Sequence, residues 1–557
     1  MEPLEGIGKS ALRIIGPTPV HRRRQNLHIH RSLSADRRPP LACRRTDVHE
    51  VSSARNVLLG KWVMDNVRGV GAPRVASTVW RQDRIAMILL AHSNYLQNDP
   101  KQVERMKPYP PLATLLTAAL VRDAGHELAF FDATFADGVD AFRATLDRTR
   151  PSVVGILEDN FNFLTKMCTL RTRNATLEMV AAAADRGARV VVNGSDASDH
   201  PERYLAAGAD AVIVGEAEHT FMALLDALSS DPAASLDGVA GLALDDGCGK
   251  PRYTPRRPSI RDLDALPLPA WDLVDADAYA RAWRKAHGRF SWNAVTSRGC
   301  PYGCNWCAKP IFGRRYAQRS PEDVARELRH LKDTVNPEHL WFADDIFGLT
   351  ERWIVDFGRA VDRLDARIPF MMQSRANLMT PAAVAALAAA GAEEVWLGVE
   401  SGSQRILDAM DKGTTIDEVR AATRALKAGG VRACWFIQLG YPSEAWDDIE
   451  MTRELILAEE PDDIGVSVAY PLPGTKFHES VQNRLGLRQN WEHSGDLAML
   501  FHGTYTSNFY RRVRDALHER SRARSRSEAA EAEAVWMQLA RSERSYRSVR
   551  PLVSPGA

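Results

Sequence analysis

Twice along this chain of 557 residues, short apolar runs rich in β-branched residues alternate with segments of helical period. That alternation excludes most architectures, because strands joined through helices pair in parallel and bury both faces of their sheet. The first series comprises "RIAMILLAHS" (84–93), "ELAFFDAT" (127–134), "SVVGIL" (152–157), "RVVVNG" (189–194) and "AVIVGEAE" (211–218). Between the first two lies "PLATLLTAALVRDAG" (111–125), an apolar-faced helix ending on glycine. The fold class predicted is α/β, opening with a doubly wound, Rossmann-like parallel sheet over 81–227. Ligands of such sheets sit beyond the carboxyl ends of the strands. Here those ends carry Asp132, Asn193, Gly194, Ser195, Gly215 and Glu216.

The second series falls within 291–484, with strands at "WNAVTSRG" (292–299), "HLWFADD" (339–345), "FMMQSRA" (370–376), "EVWLGVES" (394–401), "VRACWFIQLG" (431–440) and "DIGVSVAYPLPG" (463–474). Its helices are well marked: Ser320 is placed as N-cap, Pro321 at the first turn and Asp323 to close a capping box. "TERWIVDFGRAV" (350–361) and "TPAAVAALAAAG" (380–391) open in the same manner. Six such units are too few for a closed eightfold barrel, so a partial (β/α)6 barrel of TIM type is expected, its chemistry at the carboxyl ends of the strands. Residues 228–290, rich in Asp, Pro and Gly, read as a linker. Residues 485–557 read as a helical C-terminal region over the barrel. Within it, Tyr505, Asn508 and Tyr510 are candidates to line a pocket, the plainer reading being an aromatic helix face packed on the barrel. Residues 1–80 are basic and without period, as in "HRRRQNLHIHRSLSADRRPP" (21–40), and are expected to be a disordered tail. Met64 is a candidate alternative start.

Composition narrows the function classes. Lys plus Arg total 72 against 71 for Asp plus Glu, so no net field attracts nucleic acid or an acidic membrane. No apolar run approaches the roughly 20 residues that span a bilayer, and no secretory pattern opens the chain. Seven scattered cysteines do not form a disulfide framework. A cytoplasmic protein with reduced thiols, no nucleic-acid partner and no membrane insertion is expected.

Three of the seven cysteines lie in "SRGCPYGCNWCAKP" (297–310), directly after the first strand of the second series. Cys300, Cys304 and Cys307 are spaced C-x3-C-x2-C. A structural zinc site wants four protein ligands, and only the lone candidates Cys434, His330 and His339 could supply the fourth. A C-x-x-C redox pair leaves Cys300 without a role. A [4Fe–4S] cluster on three thiolates accounts for all three and leaves one iron open.

This motif, with Trp306 as the aromatic before the third cysteine, resembles that of the radical S-adenosylmethionine superfamily. Further strand ends share the resemblance: "FADDIFG" (342–348), "SRANL" (374–378), "GVESGSQRILDAMDKGTT" (398–415), "LGYPSEAWDDIEMT" (439–452) and "YPLPGTKFHE" (470–479). The resemblance covers about 290 to 480. It implies that the open iron chelates S-adenosylmethionine and that one-electron reduction cleaves it to a 5′-deoxyadenosyl radical. It also implies Trp306, Asp344, Asp345, Arg375, Glu400, Ser401 and Gln438 as residues around that cofactor. Residues 108–134 and 191–221 resemble the cobalamin-binding domain that precedes this barrel in one large subgroup. Cobalamin is thereby implied, with Asp132, Thr134, Gly194, Ser195, Gly215 and Glu216 as its binding residues. One departure stands out. The D-x-H-x-x-G motif that gives cobalt a histidine reads Asp132, Ala133, Thr134 here, with Asp137 in place of the glycine. Binding without a histidine lower ligand is expected.

The N-terminal series holds only Cys168, and only Cys434 follows Cys307, so a single cluster is expected. The resemblance points to methylation of an unactivated carbon of a small molecule, with a low-potential donor such as flavodoxin or ferredoxin supplying electrons. Two alternatives stand beside it. One is an oxidative or cyclising enzyme resembling anaerobic magnesium-protoporphyrin monomethyl ester cyclase; the other is a non-catalytic cobalamin- or redox-binding protein.

Overall fold

The structure, a computed structural model, describes residues 87–548 other than Pro232 and Arg524. The basic segment 1–80 and Met64 lie outside the described residues. Strands β1 (Ile88–Ala91), β2 (Leu128–Phe131), β3 (Val153–Leu157), β4 (Arg189–Asn193) and β5 (Ala211–Ile213) pair in parallel in the order 2-1-3-4-5. Their alternation feeds two cores. Leu89, Val154 and Val190 face Met179 and Val180 of one helix, while Ile88, Leu90 and Val191 face Phe221 and Leu224 of another. A sheet apolar on both faces needs helices on both, and the chain supplies them. The order reverses between β1 and β3, which is where a crevice forms at the carboxyl ends of such a sheet.

The segment read as a linker carries structure of its own. Strands β6 (Leu242–Asp245) and β7 (Pro251–Tyr253) extend the first sheet antiparallel from the edge of β5. The turn between them is held by Asp245 and Asp246, whose carboxylates accept from the N–H groups of Gly247 and Cys248. The helix Ala276–His287 follows, capped by Asp275, and buries Tyr279 and Trp283.

The second sheet is built from β8 (Ser291–Ala294), β11 (His339–Phe342), β12 (Phe370–Ser374), β13 (Ala392–Glu400), β14 (Arg432–Leu439) and β15 (Asp463–Val468). All are parallel and adjacent in chain order, without closure, as a partial six-stranded barrel requires. Two short strands, β9 (Ser297–Arg298) and β10 (Ala317–Gln318), pair antiparallel and pinch the base of the loop between them. Thr350 and Thr380 cap their helices as the sequence indicates. Ser320 does so too, accepting from the Asp323 N–H, but the reciprocal bond of a capping box does not form. The Asp323 carboxylate is taken by Arg319 and Arg326, and the Ser320 N–H goes to Asp264.

In the C-terminal region, helices Ser507–Arg522 and Arg526–Ser542 pack on the second sheet. Tyr505 and Tyr510 are buried in its core and Asn508 is exposed, so the aromatic face is packing. Among the described residues no helix is long and apolar enough to cross a membrane.

Candidate active site

The three cysteines lie on the loop that β9 and β10 close, immediately beyond the carboxyl end of β8. The loop leaves β9 through Gly299, at φ +75°, where a Cβ would stand 2.2 Å from the Arg315 carbonyl oxygen; only glycine fits. Its tip is held without help from sulfur. The Asn305 N–H donates to the Met410 carbonyl, its side-chain amide donates to the Ala409 carbonyl at 2.8 Å, and its Oδ1 accepts from the Tyr441 hydroxyl at 2.9 Å. Trp306 packs among Ile406, Met410, Tyr441 and Phe477, which makes it an anchor of the loop. All three thiols are free and half-buried. Burial pushes the Cys307 thiol up to about 11 and that of Cys300 in the same direction, with the Lys309 ammonium opposing both. The charge of the neighbouring thiols adds to the upward push on Cys300 and Cys307.

Arg375, at the end of β12, does not point away from this loop. Its guanidinium lies 3.9 Å over the Tyr302 ring, donates to the Cys304 Sγ at 3.6 Å, and bonds the Lys412 and Gly413 carbonyls and the Thr414 hydroxyl. At the end of β13, Glu400 adopts φ +67° at a register irregularity and pairs with Lys412 at 2.7 Å. A non-glycine residue held there is strained backbone of the kind that collects at functional sites. Ser401 accepts from the Ser403 N–H and meets Thr452. Gly402 lets the strand end approach the helix Trp446–Glu459; a Cβ would fall 2.4 Å from the Met451 carbonyl oxygen.

The two aspartates of β11 part company. Asp344 accepts from the Thr296 N–H and hydroxyl and from Ser297, stapling β11 to β8; burial carries its carboxyl up to about 6. Asp345 reaches Lys166 of the first series at 2.5 Å, and its Oδ2 is buried with no hydrogen-bond partner. Gln438 near the end of β14 likewise keeps a buried, unpartnered Oε1.

At the first sheet, Asp132 and Thr134 are occupied internally. Asp132 meets His92 at 2.9 Å and the Tyr279 hydroxyl at 2.8 Å, and that hydroxyl also reaches Thr134 at 2.9 Å. Gly194 lies against Glu158, Ser195 donates to the Lys166 carbonyl, and Gly215, at φ +101°, accepts from Asn193. Glu216 is engaged by Arg298 and by the Ile260 N–H. The switch point itself holds residues that the sequence reading passed over. Glu158, beyond β3, accepts from the Ser93 N–H and hydroxyl beyond β1, while its Oε2 is buried and unpartnered and burial raises its pKa.

The carboxyl ends of the two sheets meet along a seam. Arg298 of β9, 4% exposed, donates to Glu216 at 3.1 Å and to Glu218 at 2.7 Å. Phe161 and Phe312 stack at 5.0 Å beneath it. Lys166 to Asp345 forms the second bridge.

Two family models match this chain: that of the radical SAM superfamily over residues 294–456, and that of the B12 binding domain over 104–225. An uncharacterized methyltransferase, PH0819, of Pyrococcus horikoshii is 30% identical over 391 residues, covering 69% of this chain and 81% of the relative. The chain belongs to the cobalamin-dependent radical SAM family. The anaerobic magnesium-protoporphyrin IX monomethyl ester cyclase of Rubrivivax gelatinosus is 24% identical over 413 residues, covering 72% of this chain and 70% of the cyclase. In fold, the chain matches the radical SAM methyltransferase TsrM of Kitasatospora setae with a TM-score of 0.59 at 19% identity, over 72% of this chain and 79% of TsrM. Family membership makes the protein an enzyme whose cofactors are a [4Fe–4S] cluster, S-adenosylmethionine and cobalamin.

The residues present fit these groups. Three free thiols on one loop supply as many donors as a cluster with one open iron takes from protein, and among the described residues no further free cysteine lies on that loop. Asp345 Oδ2, beyond β11, and Gln438 Oε1, in β14, are buried acceptors without donors at the carboxyl edge of one sheet. Glu158 Oε2 is the same at the switch point of the first sheet. The sequence held one signal for Glu158 and Ser93: each lies within two residues of the end of a buried strand.

Proposed function

We propose that this enzyme transfers a methyl group to a carbon of a small-molecule substrate placed between the two sheets. Cys300, Cys304 and Cys307 would hold three irons of the cluster, and Asp345, Glu400, Ser401 and Gln438 would orient S-adenosylmethionine. Cobalamin would lie over the ends of β1, β3, β4 and β5, with Ser93, Glu158, Gly194, Ser195 and Gly215 against it. His92, 2% exposed and committed to Asp132, would not give cobalt the imidazole that Thr134 lacks. When bound, the three groups together supply a reductively generated radical and a transferable methyl. The protein's own part is placement and shielding. Lys412 holds the Glu400 carboxylate in position, Lys166 holds Asp345, and Phe161 and Phe312 wall the seam. The observation that carries the reading is that seam: ion pairs made by residues beyond the strands of both sheets turn the two ligand-binding edges toward each other. A low-potential donor of the flavodoxin or ferredoxin kind and a cytoplasmic site follow from the same reading, because the cluster needs reduction and reduced thiols.

The test is anaerobic reconstitution with iron, sulfide, hydroxocobalamin, S-adenosylmethionine and a low-potential reductant, with products quantified by mass spectrometry. Deoxyadenosine together with S-adenosylhomocysteine supports methyl transfer. Deoxyadenosine alone redirects the search toward cyclising or oxidative chemistry. Neither product from a fully iron-loaded protein sinks the proposal.

A further inference from the structure

Arg375 is 5% exposed and Lys309 is 5% exposed, yet among the described residues neither has a carboxylate within ion-pairing distance. A buried cation without a counter-ion is costly. The other buried cations nearby are neutralised locally: Lys412 by Glu400 and Lys166 by Asp345. Arg375 and Lys309 instead grip the same residue of the cysteine loop from two sides. Arg375 lies on the Tyr302 ring at 3.9 Å, and the Lys309 ammonium donates to the Tyr302 carbonyl at 2.8 Å. The remaining N–H groups of Arg375 are spent on neutral acceptors at Asn377, Lys412, Gly413 and Thr414, which fix its plane. One of its nitrogens then faces sulfur, 3.6 Å from Cys304 Sγ. The positive charge of both residues is therefore presented to the thiol triad, where Lys309 already opposes the upward push of burial on Cys300 and Cys307.

We propose that Arg375 and Lys309 set the reduction potential of the cluster, Arg375 by donating a hydrogen bond to the Cys304 sulfur and both by placing uncompensated positive charge beside the triad. The inference rests on the cluster assignment made above. Reduction adds one electron, from an external low-potential donor, and so one negative charge to the cluster. Cations and N–H···S bonds stabilise that added charge more than the oxidised state, which moves the midpoint upward. Arg375 is thus a positioning and tuning residue, held at the end of β12 in a rigid frame of hydrogen bonds.

The experiment is potentiometry of the anaerobically reconstituted full chain, followed by electron paramagnetic resonance, on wild type, R375M, R375K and K309M. Iron and sulfide per chain are measured on each sample. R375M and K309M should have midpoints more negative than wild type at equal iron content, with R375K between wild type and R375M. A merely structural role would lower iron content and leave the midpoint of the remaining clusters unmoved. Should R375M fail to take up iron, R375K and K309M decide, and unchanged midpoints in both overturn the proposal. A wild-type chain that takes up no cubane overturns the cluster assignment and this inference with it; a normal cluster with unmoved variants overturns the inference alone.

Discussion

Replacing Arg298 by methionine keeps much of the side chain's apolar volume and removes the guanidinium. Two carboxylates, Glu216 at 8% and Glu218 at 4% exposure, then face the seam without a counter-charge. Breaking a buried pair from one side costs about 3–5 kcal/mol, because the stranded charge does not recover its hydration. Loss of the cation over Phe161 and Phe312 adds roughly 0.5–2 kcal/mol. Protonation offers partial relief. Burial already raises the Glu216 pKa against the pull of Arg298, and removing Arg298 raises it further. An acid whose folded pKa exceeds its unfolded value loses stability as pH climbs through that interval. The R298M deficit should therefore be smallest near pH 5 and largest near pH 8. Since two sheets need not unfold together, the suitable assay is pulse proteolysis across a urea gradient, which reads whichever unit opens. We expect a deficit of about 3 kcal/mol or more at pH 8, with R298M/E216Q/E218Q recovering most of it. A deficit under about 1 kcal/mol, the range of exposed pairs, or one that ignores pH, would refute the reasoning.

Removing all three cysteines as C300A/C304A/C307A should take iron from about four per chain to background. Because Asn305 and Trp306 hold the loop, circular dichroism should show a thermal midpoint within about 4 °C of the metal-free wild type; collapse of the fold would contradict this. Gly402→Ala forces a Cβ to within 2.5 Å of the Thr452 Cα. Overpacking of that kind costs about 1–3 kcal/mol, and the displaced Glu400 and Ser401 should weaken S-adenosylmethionine binding in equilibrium dialysis. Burial carries the Glu444 carboxyl up to about 8, with the Gly440 N–H opposing. Its unfolded pKa is about 4.3, so wild type loses stability between those values as pH rises and levels off above them. E444Q does not titrate, and its thermal midpoint relative to wild type should climb across that window; a constant difference would count against the buried acid.

The strands of both sheets could be read from the sequence because burial on two faces leaves its mark locally: "RVVVN" is apolar wherever its neighbours lie. Strands β6 and β7 could not. At four and three residues, with a turn of Asp and Gly between them, they exist because the edge of β5 offers a ladder, and no local period announces that. The thiols were legible through spacing. Their surroundings were not, since Arg375 meets Cys304 across 71 positions and Lys166 meets Asp345 across 179. Such pairs depend on how distant elements pack. His92, Ser93 and Glu158 escaped for a related reason: at the ends of their strand runs nothing marks them as partners until the strand order sets β1 beside β3.

The charges along the seam have an order that bears on how the two sheets find one register. The first sheet presents acids at Glu216 and Glu218 and a base at Lys166; the second presents a base at Arg298 and an acid at Asp345. The polarity of the two bridges is therefore opposite. A slide that brought Arg298 toward Lys166 would carry Asp345 away from its cation and set two bases together in a dry contact. One that brought Asp345 toward Glu216 would set two acids together. Like-charge contact at a buried interface costs several kcal/mol, whereas an apolar seam would tolerate slippage. The net stabilisation from buried ion pairs is small, but the discrimination among registers is not. Substituting Arg298, Glu216 and Glu218 together by apolar residues of similar volume, with Asp345 left in place, should then leave the enzyme folded yet with the cofactor edges no longer held in one alignment, which predicts uncoupled deoxyadenosine formation, measured by mass spectrometry, rather than inactivity.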